Sequence, residues 1–277
     1  LVFMPKLDID AMIDWMPRAT SMMGVPTFYT RLLDDPRFSS DLTAHMRLFV
    51  SGSAPLLAET HRAFEDRTGH RILERYGMTE TNMNCSNPYD GDRRAGTVGL
   101  PLPGVEVKVC DDTGAALPAG EIGVLEVRGP NVFEGYWQMP EKTKEELRAD
   151  GFFITGDLAK IDTDGYVMIV GRGKDLIISG GYNIYPKEIE LVLDDQPGVL
   201  ESAVVGAPHP DFGESVVAVL VTNGEVDVAD VAVAVSQKLA RFKQPRHYAV
   251  LDALPRNTMG KVQKNVLRDQ LSDVFVS

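Results

Sequence analysis

The stretch from Met46 to Gly77 constrains the fold of this chain more than any other. It reads MRLFVSGSAPLLAETHRAFEDRTGHRILERYG. Leu48 to Val50 form a short apolar strand that breaks into a Ser/Gly loop. LLAETHRAFEDRTG follows as a helix, closed by Gly69, a residue type suited to a helix C-terminus. RILERYG is a second strand, which enters another loop at Gly77. Strand, loop, helix, strand, loop predicts an α/β sheet, with ligands expected at the strand ends. Upstream, DIDAMIDWM (Asp8 to Met16) and PTFYTRLL (Pro26 to Leu33) predict helices, the second with Pro at its start.

From Thr97 the texture changes. TVGLPLPGVEVKVCDDTGAALPAGEIGVLEVRGP alternates short strands with the turns DDTG, PAG and RGP, as a small antiparallel β unit does. MPEKTKEELRADG predicts a helical insertion ending at Gly151, and DLAKIDTDGYVMIVGRGKDLIISGG predicts consecutive hairpins. Beyond Gly171 the pattern is α+β. Pro186 opens a helix, strands follow at Ser202 to Gly206 and Ser215 to Thr222, and Val228, Val231, Ala232, Val235 and Leu239 mark an amphipathic helix. A strand at His247 to Leu251 and a helix from Lys264 close the chain. The domain boundary is expected at the hairpin around Gly171 to Lys174.

The chain has 277 residues, 44% of them hydrophobic and 25% charged, which is ordinary globular usage. VVAVLV, Val216 to Val221, is the length of a buried strand and far below a membrane span. The first residues carry no basic-plus-apolar signal pattern. Leu1 stands where an initiator Met would, so a fragment is expected. The two cysteines, Cys85 and Cys110, lack metal-ligand spacing and fit free thiols in a reducing, cytoplasmic setting. A net charge of -12 argues against nucleic acid, which needs a basic footprint. Yet Val231 to Arg268 holds eight basic residues and one acid, Asp252. That imbalance fits a small polyanion, and it equally fits a solvated basic face.

Several short motifs carry chemistry. In ERYGMTET, Thr79 and Glu80 follow a glycine at a strand end; a hydroxyl beside a carboxylate suits phosphate with Mg²⁺. A turn capping a following helix is the plainer reading. In FFITGDLAKID, Asp157 stands where an acid can accept from both ribose hydroxyls, or simply where a β-turn needs Asp. GRGKD sets Arg172 and Lys174 among glycines, as a flexible joint or a tight turn. SGGYNIYP offers bare backbone N–H groups along a narrow passage, or a loop before a helix. LPRNTMGKVQK places Lys261 behind Gly260, where a lysine reaches an anion without steric conflict.

In this order SGSAPL, YGMTE, TGD, GRGKDLIISGGYNIYPKEIE and PRNTMGKVQK resemble the adenylate-forming superfamily of acyl-CoA synthetases, adenylation domains and luciferases. Within it, RLFVSGSAPLLAETH, YGMTETNMNCSNPYDGDRRAGTVG and LPRNTMGKVQKNVLR look like malonyl-CoA synthetases. The resemblance implies an α/β plus α+β architecture. Residues 1–96 would be the C-terminal part of the large α/β domain. Residues 97–172 would form a small β-barrel-like subdomain, and residues 173–277 a mobile α+β lid. Thr79 would contact phosphate and Glu80 would hold Mg²⁺. Asp157 would bind the ribose of ATP, assisted by Arg172. Ser51, Gly52, Ser53, Ala54 and Pro55, with Tyr76 and Gly77, would line the adenine and acyl pocket. Lys174 would be the hinge, Gly180 and Gly181 would border the pantetheine passage of coenzyme A, and Lys261 would be the adenylation lysine.

The activity so implied is an ATP-dependent acid:CoA ligase, with malonate as the expected acid. Another small or medium acid, a carrier-domain acceptor, or a non-catalytic nucleotide- or CoA-binding module are the alternatives. No nucleic acid and no integral membrane contact are expected. A second carboxylate on the substrate asks for a cation, preferably a bidentate arginine. Arg47, ahead of the LFVSGSAPL strand, is the candidate, with Met78 and Ser53 shaping the acyl end. The superfamily's Ser/Thr/Gly-rich phosphate loop is not among these residues, so the chain alone is expected to be inactive. The resemblance also makes Lys261 a target for a lysine acetyltransferase and deacetylase, with Lys264 as the alternative adenylation lysine.

Overall fold

A computed structural model of the chain describes residues 1–4, 7–224, 226–257 and 261–276. It divides into two compact units, Leu1–Ile169 and Val170–Ser277.

The first unit opens with α1 (Ile9–Trp15), whose N-cap Asp8 accepts the Ala11 N–H. Next come β1 (Ser21–Gly24), α2 (Pro26–Asp34), the single turn α3 (Ser40–Thr43), β2 (Leu48–Ser51), α4 (Ala58–Thr68) and β3 (Leu73–Met78). β1, β2 and β3 run parallel, with Ser21 beside Leu48 and Val50 beside Leu73. β4 (Asn82–Ser86) and β5 (Leu100–Pro101) extend the sheet antiparallel, in the order β1-β2-β3-β4-β5. Tyr29 of α2, Phe64 of α4 and Phe38 of the connection between α2 and α3 are buried in one cluster with Phe49 of β2, and the Tyr29 hydroxyl donates to Val50 O at 2.6 Å. Each such ring contributes about 1.5–3 kcal/mol by leaving water. This packing fixes the depth at which β2 ends. Gly69 closes α4 at φ 75°.

β6 (Glu106–Cys110), β7 (Gly123–Arg128), β8 (Phe153–Ile161) and β9 (Val167–Arg172) form a four-stranded sheet in sequence order. The expected barrel-like subdomain is thus an open sheet. α5 (Pro140–Glu146) is shorter than MPEKTKEELRADG suggests, because Leu147 leaves the helix to bridge Phe153 of β8. β1 was not foreseen, since SMMG is too short for a period to show.

The second unit begins inside β9. β10 (Ile177–Ser179), β11 (Tyr182–Ile184), α6 (Pro186–Asp194), β12 (Val199–His209), β13 (Gly213–Thr222), α7 (Val228–Lys238), β14 (His247–Val250) and α8 (Lys264–Gln270) follow. β13 pairs antiparallel with β12 and parallel with β14. Its unbroken apolar run is explained by burial on both faces. Val216, Ala218 and Leu220 pack with Ile189, Leu193 and Val235, whereas Val217, Val219 and Val221 pack with Leu254 and Leu267. Among the described residues no helix is long and apolar enough to cross a membrane.

Candidate functional site

In the first unit β3 is the common spine. β2 ends beside the start of β3, with Ser51 beside Glu74, and β3 runs on to Met78. Ser51 and Gly52 are buried, and Ser53, Ala54 and Pro55 emerge exposed, Ser53 at φ 69°. The Ser51 hydroxyl is buried and meets no hydrogen-bond partner among the described residues. A buried hydroxyl in that condition needs an explanation, and a ligand group at the strand end supplies one. Tyr76 of β3 donates its hydroxyl to Asp157 Oδ2 on β8. Asp157 is 3% exposed and follows Gly156, whose φ of 70° turns the strand. Gly77 is required by close approach: a Cβ there would lie 1.8 Å from Asn82 O. The pairing of β3 with β4 also shifts between Tyr76 and Gly77.

Thr79 and Glu80 occupy the turn that joins β3 to β4. The element after them is a strand, so the helix-capping alternative for this pair does not hold. Thr79 is exposed and Glu80 half-buried. Phe133 N–H donates to Glu80 O at 2.8 Å, and the Tyr136 hydroxyl lies 3.1 Å from Glu80 Oε1. Tyr136 also donates to Glu146 Oε2 of α5 at 2.6 Å. Burial, then the Glu146 carboxylate, raises the Tyr136 phenol, so it stays protonated. Burial would raise Glu146 too, but Lys142 and the Tyr136 hydroxyl hold it below the usual carboxylate range. A Mg²⁺ ion carried by ATP needs one or two carboxylates, its other ligands being water and phosphate oxygens. The Thr79–Glu80 pair fits that demand, whereas no group of three His, Cys, Asp or Glu able to hold a metal occurs among the described residues.

Arg47 lies away from the loop that it was expected to serve. It is exposed, and its N–H donates to Thr20 O at 2.7 Å, just before β2 begins. The Ser51–Pro55 loop leaves the opposite end of that strand, roughly 13 Å away at the usual rise per residue. Arg75, which the motif reading passed over, is the basic residue at the loop's end of the sheet. Its guanidinium lies across Gly52, where a Cβ would come within 3.2 Å of Nη1. It donates to Met83 Sδ at 3.1 Å and Met23 Sδ at 3.4 Å. Thioethers are weak acceptors, and among the described residues no carboxylate pairs with this guanidinium. Met78 ends β3, with its sulfur 3.9 Å from the Tyr76 hydroxyl. An Arg inside the strand that runs into the YGMTE motif was the signal that could have found Arg75. For Tyr136 it was the aromatic cluster VFEGYW.

In the second unit the candidates sit on turns. Arg172 ends β9 and is exposed. Lys174 is exposed in the 3₁₀ turn Gly173–Asp175. Arg268 of α8 donates to Lys174 O at 3.4 Å and also to the Asp175 carboxylate. Gly180 and Gly181 are exposed between β10 and β11, at φ 56° and 83°. Lys261 is exposed at the closing end of a loop whose base is a bridge between Arg256 and Val262. Asn257 N–H donates to Lys261 O at 2.9 Å, and Lys261 N–H donates to Asn257 Oδ1 at 3.0 Å. Gly260, invoked for freedom of this loop, lies outside the described residues. Lys264 is engaged elsewhere: its Nζ is 2.6 Å from buried Glu190, which also accepts the Val204 N–H at 3.0 Å.

Residues 1–137 match the AMP-binding enzyme family, and residues 188–261 match the AMP-binding enzyme C-terminal domain. A malonate–CoA ligase of Arabidopsis thaliana is 40% identical over 275 residues, covering 92% of this chain and 45% of its own length. A long-chain-fatty-acid–CoA ligase of Yersinia pestis is 38% identical over 267 residues, covering 95% of this chain and 47% of its own. The crystal structure of ATP-bound MatB from Rhodopseudomonas palustris superposes with a TM-score of 0.96 at 62% identity, covering 99% of this chain and 55% of that one. The chain therefore spans about half the length of the relatives it matches.

Proposed function

The chain belongs to the AMP-binding enzyme family, and from that membership we propose that it supplies the carboxylate-, ribose- and lysine-bearing part of an ATP-dependent acid:CoA ligase for malonate. The observation that carries the choice of acid is Arg75. Its guanidinium stands without a carboxylate partner, among the described residues, at the strand ends that carry Ser51, Tyr76 and Glu80. A dianion places its second carboxylate against such a group; a fatty acid would leave the charge uncompensated.

In the first half-reaction a carboxylate oxygen of the acid attacks the α-phosphorus of ATP, and the bond to the pyrophosphate oxygen breaks. In the second, the CoA thiolate attacks the acyl carbon and AMP leaves. When bound with ATP, Mg²⁺ neutralises phosphate charge. Asp157 orients the ribose by accepting its hydroxyls, Thr79 donates to phosphate, and Glu80 presents its carboxylate to the cation. The Lys261 ammonium offsets repulsion between the acid and the α-phosphate. Arg172 assists at the nucleotide, Lys174 serves as the pivot, and Gly180 and Gly181 flank the thiol's approach. Two free buried cysteines fit a cytoplasmic setting, and the exposed Lys261 side chain is accessible to an acetylating enzyme.

The test uses a hybrid in which this chain is joined to the part of the Rhodopseudomonas palustris relative that it leaves uncovered. Malonate-dependent pyrophosphate exchange and CoA thioester formation are expected. ATP binding without exchange would leave only a nucleotide-binding module. In the same hybrid, Arg75→Met should lower kcat/KM for malonate by about 10²-fold, the usual scale for stripping one partner from a hydrogen-bonded charge pair, and spare acetate. Equal losses on both acids remove Arg75 from substrate recognition.

A further inference from the structure

We propose that Tyr136 is the positioning residue for Glu80, the Phe133–Tyr136 strap setting where that carboxylate points. The inference rests on the reading of Glu80 as the carboxylate that meets ATP-borne cation. The strap grips Glu80 twice, by Phe133 N–H to its carbonyl at 2.8 Å and by the Tyr136 hydroxyl 3.1 Å from its carboxylate. The strap is itself fixed. The Phe133 ring meets the Tyr136 ring edge-on at 4.8 Å and the Phe153 ring at 5.4 Å. Tyr136 N–H donates to the Thr143 hydroxyl of α5 at 2.9 Å, and a Cβ on Gly135 would come within 2.7 Å of Thr143 Cγ2. Asn131, at the strap's upstream end, donates to Thr81 O at 2.7 Å and Met83 O at 3.2 Å, tying it to the far side of the same turn.

The chemistry of the phenol gives this arrangement a function beyond support. Tyr136 has one proton and two carboxylate neighbours, Glu146 at 2.6 Å and Glu80 at 3.1 Å. Glu146 has a second source of compensation in Lys142. Glu80 has no ion-pair partner among the described residues. The phenol can therefore direct its proton to Glu80 Oε1 and leave Oε2 to the cation, with Lys142 remaining on Glu146. Glu80 is held in one rotamer with and without the cation, which removes an ordering cost from cation binding. Partners that orient a metal-binding carboxylate in this way typically contribute about 10–100-fold in metal affinity.

The experiment is Tyr136→Phe in the hybrid, a change that keeps the ring contacts and deletes the hydroxyl. Mn²⁺ binding in the presence of a non-hydrolysable ATP analogue, read by electron paramagnetic resonance, should weaken about tenfold or more. The Mg²⁺ concentration giving half-maximal pyrophosphate exchange should rise in parallel, with KM for CoA unchanged. Unchanged Mn²⁺ affinity overturns the proposal, and so does a loss that falls equally on Mn²⁺, ATP and CoA. Glu80→Gln is the control. If it leaves Mn²⁺ affinity intact, the reading of Glu80 fails. If it weakens binding while Tyr136→Phe does not, the positioning role alone fails.

Discussion

The two units hold their candidate groups in opposite ways. In the first, the groups themselves are held: Asp157 is buried under the Tyr76 hydroxyl, and Glu80 is gripped by backbone and side chain together. In the second, Lys174, Gly180, Gly181 and Lys261 are exposed, and only the ground beneath them is anchored. Buried Glu190 receives Lys264, Glu201 receives Arg256, and Asp175 receives Arg268. Groups that must keep one geometry through a reaction benefit from being locked. Groups that must arrive and depart need a firm base and a free tip. On the proposed function, one unit would hold the substrate and the other would act on it in turn.

The sharpest way to break this contrast is Lys261→Ala in the hybrid. Adenylation should fall by about 10²–10³-fold, the usual loss for one preorganised electrostatic contact. Thioester formation from supplied malonyl-adenylate and CoA should proceed normally. If adenylation is unchanged, Lys261 is a solvated loop lysine and the second unit loses its acting group. Lys174→Pro fixes φ near −65° and should slow the thioester step by about tenfold or more while adenylation survives. Equal slowing of both steps would point to misfolding and withdraw the pivot.

A smaller effect concerns stability. Burial raises the Asp194 carboxyl of α6 to about 6 from 3.8, against the opposing influence of Lys187 and the Ser202 hydroxyl. Between those values the folded chain keeps a proton that the unfolded chain has lost. Stability of the second unit should therefore fall as pH rises from about 4 to about 6 and level off above. Asp194→Asn keeps an acceptor for Ser202, 2.6 Å away in the native pair, and removes the titration. It should be the more stable form at pH 7, by at most about 3 kcal/mol, and lose that advantage near pH 4. Urea unfolding of the chain at the two pH values reads this directly. Identical midpoints at pH 7 would mean that burial of Asp194 costs nothing.

Local signals were legible wherever one residue or one period decides the structure. Gly69, Pro26, Pro186 and the α7 stripe each forecast an element that the structure contains. β3 and the strand-end loop at Ser51–Pro55 were legible for the same reason. The turn after β3 was not resolved by sequence, because Thr79–Glu80 serves a hairpin and a helix cap equally well; only the partner strand decides. Arg47 and Arg75 show the other limit. Arg47 flanks a strand and Arg75 lies inside one, but which end of a sheet a residue occupies depends on strand direction, and that is fixed by the pairing of β1, β2 and β3. Tyr136 lies 56 residues from Glu80 in the chain, so nothing local could join them.

The guanidinium lying on Gly52 has a consequence for how such a site changes over generations. Arg75 fills space as well as carrying charge, and a side chain at residue 52 would crowd it, a Cβ coming within 3.2 Å of Nη1. On the proposed function its charge would meet the second carboxylate, and its bulk would then also limit the length of what can enter. One substitution of Arg75 by a small residue would then discard the preference for a dianion and open room for a longer tail in the same step. Conversely, a side chain at position 52 would oblige the arginine to shift by a few tenths of an ångström. On that reading, a change at either position would bear on the choice between short dianionic acids and long-chain ones.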